Sequence, residues 1–185
     1  MLPRLQNDHK HIAVLLNLLK GKYQKLAEGE SVNFGLVRDV VEYMQSYTEH
    51  SHHPLEDIIY DYYLERFARK DSTRRLSQEH QKLEDASTTL AATLNLILSD
   101  IVVAKEKLIE DLKAYVTMQE KHLAYEEENI FPLLEKTMTA EDWQKVESTC
   151  SAKLVDDPLF TDSDDAVFEE LRSYIQSTDP VSLQH

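Results

Sequence analysis

Histidine and glutamate recur in this chain in two matched sets. His9 is followed 43 residues later by His52-x-x-x-Glu56, and His80 is followed 42 residues later by His122-x-x-x-Glu126. Within each set the second His and the Glu stand four apart. That spacing puts both on one helix face about a turn apart, the arrangement with which helix bundles hold carboxylate-bridged metal pairs. Imidazole and carboxylate together suit iron, manganese or zinc, and affinity order alone does not choose among them. The chemistry open to these six residues is that of a two-metal centre.

Such a centre needs its ligands inside a core, and the apolar periodicity places them there. The first segment steps through Leu5, His9, Ile12, Leu16, Leu19, Tyr23 and Leu26, and the third through Leu76, His80, Leu83, Ser87, Leu90, Leu94 and Ile97. Both follow the alternating four-three step of a buried helix face, so each His takes a core slot. In the second and fourth segments the same reading turns His52, Glu56, His122 and Glu126 inward. Four imidazoles and two carboxylates buried together are costly unless something pairs with them, and a metal is the simplest partner.

Chain geometry brings the sets level. In two antiparallel helices joined by a short turn, residues equidistant from the turn lie at one height. The midpoint of His9 and His52 falls in Glu28-Gly29-Glu30-Ser31, and that of His80 and His122 beside Ser99-Asp100, read as a helix N-cap. At 1.5 Å per residue the site lies roughly 30 Å from these two turns, towards the end that holds Arg69-Lys70-Asp71-Ser72.

The resulting expectation is an all-α fold, an up-down-up-down antiparallel four-helix bundle with helices at about 3–28, 33–68, 72–98 and 101–137, followed by one or two short C-terminal helices. Thr139 with Asp142 reads as the capped start of a fifth helix, 156–165 as an Asp-rich loop, and 166–176 as a last helix. Residues 1–176 form one metal-binding domain with its core bundle at 3–137, and 177–185 a flexible tail. Three Gly and five Pro leave little room for strands or long loops.

The prolines and the other histidines refine the site. Pro54 stands between His52 and Glu56, where a kink or widened turn would tune how the ligands aim, although a bend without a role reads equally well. Pro132 is read as a bend where its helix leaves the bundle. His11 lies about 200 degrees around the helix from His9 and is expected to face solvent. His50 and His53 flank His52 at poor angles, but the Pro54 distortion keeps either open as a fifth ligand. Glu49 and Tyr125, one turn from His52 and His122, could orient those imidazoles, although residues so placed are more often merely solvated or packed. Tyr60, Tyr62 and Tyr63 read as aromatic packing at the bundle end, Cys150 as a packed residue of the fifth helix, and His185 as part of the tail.

With 34 acidic against 20 basic residues the formal charge is −14, which disfavours nucleic acid as a partner. No apolar run approaches the length of a membrane span and no basic-then-apolar leader opens the chain, so no membrane role is expected. A lone Cys150 excludes an intrachain disulfide, and the location is read as cytoplasmic.

In combination, Asn7-Asp8-His9-Lys10-His11-Ile12, His52-His53-Pro54-Leu55-Glu56-Asp57, Gln78-Glu79-His80-Gln81-Lys82-Leu83 and the stretch from His122 through Glu126 and Glu127 to Pro132 resemble the hemerythrin-like, HHE-type cation-binding family. Asp157-Pro158-Leu159-Phe160 also resembles a stretch found after the fourth helix in some bacterial members. The resemblance implies a non-haem di-iron site, oxo- or hydroxo-bridged, with His9, His52, His80 and His122 as terminal ligands and Glu56 and Glu126 as bridges. Each iron would then keep an open position for oxygen, nitric oxide or peroxide. One departure stands out: oxygen-carrying hemerythrins have a further His one turn before the third-helix ligand, and here that residue is Leu76. The function read from these residues is binding, sensing or scavenging of such a small molecule, or of iron. The alternatives are a di-iron oxidoreductase, peroxide-consuming or ferroxidase-like, which the Leu76 departure favours, and a structural zinc-binding module. A protein partner or electron donor is not specified by the residues.

Overall fold

A computed structural model of the chain describes residues 1–67, 74–151, 154–161 and 168–178. Among these residues the chain is all helical, with no strand. Helix α1 spans Leu2–Ala27, with Pro3 in its first turn, where a missing N–H costs nothing. It ends at Gly29, whose φ of +84° lets Glu30 N–H return to Lys25 O at 2.9 Å. Asn33 then caps α2, Phe34–Tyr43, by accepting from Leu36 N–H.

The second rod is not the single α-helix expected over 33–68. After α2 the backbone widens into a π segment, Met44–His52, and resumes as α3, His53–Phe67. The fourth rod does the same: α5, Lys105–Tyr125, is followed by a π segment, Glu126–Ile130, and by α6, Phe131–Thr137. Both widened turns stop just short of a proline. In an α-helix the ring of Pro54 would press on the carbonyl of His50, and that of Pro132 on the carbonyl of Glu128, and the wider turn relieves the clash. At Pro54 the backbone takes not a kink but the widened turn. Pro132, read as a simple bend, has one too.

The third rod, α4, spans Arg74–Leu98. Ser99-Asp100 does not cap the next helix as expected. Asp100 adopts φ of 60°, and the N–H groups of Asp100 and Ile101 return to Ile97 O and Leu96 O, so the pair closes α4. Helix α5 therefore starts at Lys105, four residues later than the expected 101. Helix α1 packs on α5 and α2, and α4 on α2 and α5.

Beyond the rods, Thr139 caps α7, Ala140–Cys150, through the expected reciprocal bonds with Asp142, and Cys150 is buried. Residues 154–161 are pinned rather than loose. Asp157 Oδ1 accepts from the N–H groups of Leu159 and Phe160, and Arg172 donates to the carbonyls of Pro158 and Leu159. Helix α8 spans Glu169–Thr178, so 177 and 178 belong to a helix and not to the tail. The 69–72 connection, residues 162–167 of the expected loop and last helix, and 179–185 with His185 lie outside the described residues. No helix among the described residues is long and apolar enough to cross a membrane.

Two apolar clusters fill the interior. One includes Ile12, Tyr47, Leu83 and Leu123, the other Leu5, Leu55, Leu76 and Ile130. Along every rod the change from one cluster to the other falls where the candidate His and Glu residues stand. Those residues form a polar layer sealed between two greasy ones.

Candidate metal centre

All six candidate ligands are buried, none more than 6 % exposed. His9 comes from α1, His52 from the end of the first π segment, Glu56 from the first turn of α3, His80 from α4, His122 from α5, and Glu126 from the start of the second π segment. Their functional atoms converge. Glu56 Oε1 lies 3.4 Å from His9 Nε2 and 3.3 Å from His52 Nε2, while its Oε2 lies 3.4 Å from His80 Nε2. Glu126 Oε2 is 3.3 Å from His122 Nε2 and 3.5 Å from His9 Nε2. The Nε2 atoms of His80 and His122 are 3.1 Å apart.

What aims these imidazoles is a set of four acids, none of them among the expected second partners. Asp8 lies 3.1 Å from His52 Nδ1, Asp57 3.1 Å from His80 Nδ1, Glu79 3.4 Å from His122 Nδ1, and Glu127 3.2 Å from His9 Nδ1. A carboxylate can only accept, so each Nδ1 carries a proton, and in the neutral ring the Nε2 lone pair is left facing the centre. The contacts run from α1 to the second rod, from there to α4, from α4 to α5, and from the end of the fourth rod back to α1. Each acid is the chain neighbour of one ligand and serves a ligand of another helix. A step of one residue turns about 100° around the helix, away from the residue's own site and towards the next rod. The pairs Asp8-His9, Glu56-Asp57, Glu79-His80 and Glu126-Glu127 were the signal in the sequence. Glu49 instead sits beside Ser87, where burial pushes its carboxyl up to about 7, and Tyr125 lies under the guanidinium of Arg75.

Three other residues depart from or sharpen the reading. His53 turns inward, stacked on His80 with ring centres 4.1 Å apart. With Glu56, His80 and His122 it forms a group whose ligand-capable atoms all lie within 4.8 Å of one another. His50 is exposed and bonds to Gln45 O. His11 does not face solvent. It is 6 % exposed, stacked on Phe160, with Nδ1 3.0 Å from Asp157 Oδ2. Its helical angle away from the site was right, but that face of α1 is covered by the segment at 154–161. Tyr60 does more than pack: its hydroxyl donates to Glu126 Oε1 at 2.8 Å.

Burial opposes charge on His9, His52 and His80, and the carboxylates overcome it. His9 is pushed up to about 10 beside Glu126 and Glu56, His52 to about 9 beside Glu56 and Asp8, and His80 to about 10 beside Asp57 and Glu56. Burial also works against the charge of Glu56, yet His52, His80 and His9 hold its carboxyl well below the usual range. His53 moves the other way, since burial and then the charge on His80 keep it neutral. The layer is thus a field that favours positive charge.

The residues present fit a metal. His9 Nε2, His52 Nε2, both oxygens of Glu56 and Glu126 Oε2 are buried without a hydrogen-bond partner among the described residues. Unpartnered buried groups of this kind are costly, and a cation between them would satisfy them together. No curated protein and no solved structure matches the chain. The model of the hemerythrin HHE cation binding domain does, over residues 1–134, which takes in all six candidate ligands and the four acids behind them. The chain therefore belongs to the hemerythrin HHE cation-binding domain family.

Proposed function

We propose that this protein holds two iron ions between four rods running up, down, up and down, and that the pair binds, senses or scavenges a small oxidant or diatomic molecule. The observation that carries this reading is Glu56. Its Oε1 faces His9 and His52 and its Oε2 faces His80, so one carboxylate turns its two oxygens to two different imidazole sets. That is what sharing between two cations requires. Glu126 would be the second bridge, held in orientation by Tyr60. His9 and His52 would serve one ion; His80 and His122 would serve the other, with His53 as a fifth imidazole supplied from the second rod where Leu76 supplies none.

When bound, the iron pair would supply one-electron chemistry and open positions for oxygen, nitric oxide or peroxide. The chain's own contribution is orientation and dryness. The four acids fix the Nδ1 protons, and the two apolar clusters exclude water from both sides, with Phe131 packed against the ring of His9 at 4.9 Å between centres.

The test is anaerobic loading with two equivalents of ferrous iron, then oxygen, with iron counted per chain and the visible spectrum recorded. Two retained irons and the bands of a bridged diferric centre are expected. A featureless spectrum with no iron retained would overturn the reading and direct the same experiment to zinc or manganese. Rapid catalytic consumption of peroxide by the loaded protein would replace binding by turnover.

A further inference from the structure

Thirteen residues along α1 from His9, roughly 20 Å at 1.5 Å per residue, Lys22 sits in an unusual setting. It is only 8 % exposed. Its ammonium donates to the hydroxyl of Tyr174 at 3.3 Å and lies 4.4 Å above that ring's centre. Among the described residues it has no carboxylate partner, although the chain carries 34 acids, and Lys20 two positions away pairs with Glu120 at 3.0 Å. An ammonium has three donors, and among the described residues the hydroxyl and ring face of Tyr174 are all that meet this one.

Among the described residues, the space beside Lys22 is open. A cavity of about 260 Å³ lies between α1 and α8, walled by Val14, Leu18 and Ile175 on its apolar side and by Lys22 and Lys25 on its cationic side. At about 30 Å³ per water-sized group it has room for roughly eight non-hydrogen atoms. Gly21 borders it, and a Cβ there would meet nothing within 4 Å, so the cavity is not a space that backbone packing requires.

We propose that this cavity is a binding site for a small aliphatic carboxylate, its head group on Lys22 with Lys25 at the rim and its chain against Val14, Leu18 and Ile175. One buried cation suits a monoanion, and the apolar wall selects an organic acid over a fully hydrated inorganic anion. The site is independent of the metal reading.

The full chain titrated with hexanoate, followed by the methyl NMR signals of Val14, Leu18 and Ile175, tests this, with hexan-1-ol and inorganic phosphate titrated in parallel. Saturable shifts with hexanoate are expected, with the alcohol and phosphate each at least about tenfold weaker. Lys22→Met should weaken hexanoate by about tenfold or more by removing the charge. Gly21→Leu should do the same by filling the cavity, and because leucine suits a helix interior better than glycine its melting temperature should not fall. Should K22M fail to fold, G21L alone decides. Absence of shifts at those methyls, equal binding of hexan-1-ol or phosphate, or unchanged hexanoate affinity in the folded variants would overturn the proposal.

Discussion

The two ends of the His/Glu layer are built from the same parts and differ in what stands behind them. On one side His52 is aimed by Asp8, whose side chain is 5 % exposed and whose other oxygen accepts from the buried Tyr47 hydroxyl at 3.2 Å. On the other side His122 is aimed by Glu79, 20 % exposed and tied to Arg75, itself 64 % exposed, at the edge of a surface cavity of about 240 Å³. The same distinction sets Asp8 apart from Asp57 at 38 % and Glu127 at 51 %. A carboxylate in a dry setting holds its imidazole far more firmly than one that water and salt can screen. Near-identical geometry at the Nε2 atoms thus rests on unequal support: His52 is the rigidly held imidazole, whereas His9 beside it leans on the most exposed of the four acids.

Removing the shared residue should erase the comparison altogether. Glu56→Ala is expected to take iron from about two per chain to near zero, and one firmly retained iron would show that Glu56 serves only one ion. Asp8→Asn separates the sides most cleanly, because its amide oxygen can still accept from His52 Nδ1 while the charge is gone. Iron affinity measured by chelator competition should fall about ten- to hundredfold. Glu79→Gln, the matched change on the screened side, should cost less than about threefold, and less again in high salt. If D8N and E79Q were equal, the inequality of the two contacts would be wrong.

The smallest effect probes dryness directly. Glu49, one turn before His52, has its carboxyl pushed by burial up to about 7. A carboxyl raised in the folded state favours folding while protonated, and that contribution is lost as pH rises from about 4.5 through about 7. Glu49→Gln should therefore raise the melting temperature at pH 8 and not at pH 5. The gain should be on the order of 1 kcal/mol, because partial exposure screens much of the shift. A gain at both pH values would point to packing instead.

The six converging residues and the rods that carry them were legible because both obey local rules: a four-residue spacing and a four-three apolar step. Thr139 with Asp142 was legible for the same reason. The four orienting acids were visible but given no role, since the expectation looked one turn along a helix and the partners stand one residue along, facing another rod. At Pro54 the sequence left a kink and a widened turn both open. Proline forbids the α path without saying which way the backbone yields, and the inward turn of His53 depends on that choice. Why His11 is buried could not be read locally at all, because its cover, Asp157, is 146 residues distant. Periodicity tells which face looks away from a site and not what lies on that face.

The four Nδ1 contacts close a cycle through all four rods, and this has a consequence for the order of assembly. With the fourth rod absent, His9 lacks Glu127 and Glu79 lacks His122, so two of the four links are open and Glu126 is missing. A chain synthesised only as far as α4 would offer His9, His52 and His80 without His122, with His9 lacking its orienting acid. A complete, oriented ligand set exists only once residue 127 has emerged and packed, which makes capture of the cation a late event and leaves a nascent chain little hold on an ill-suited metal.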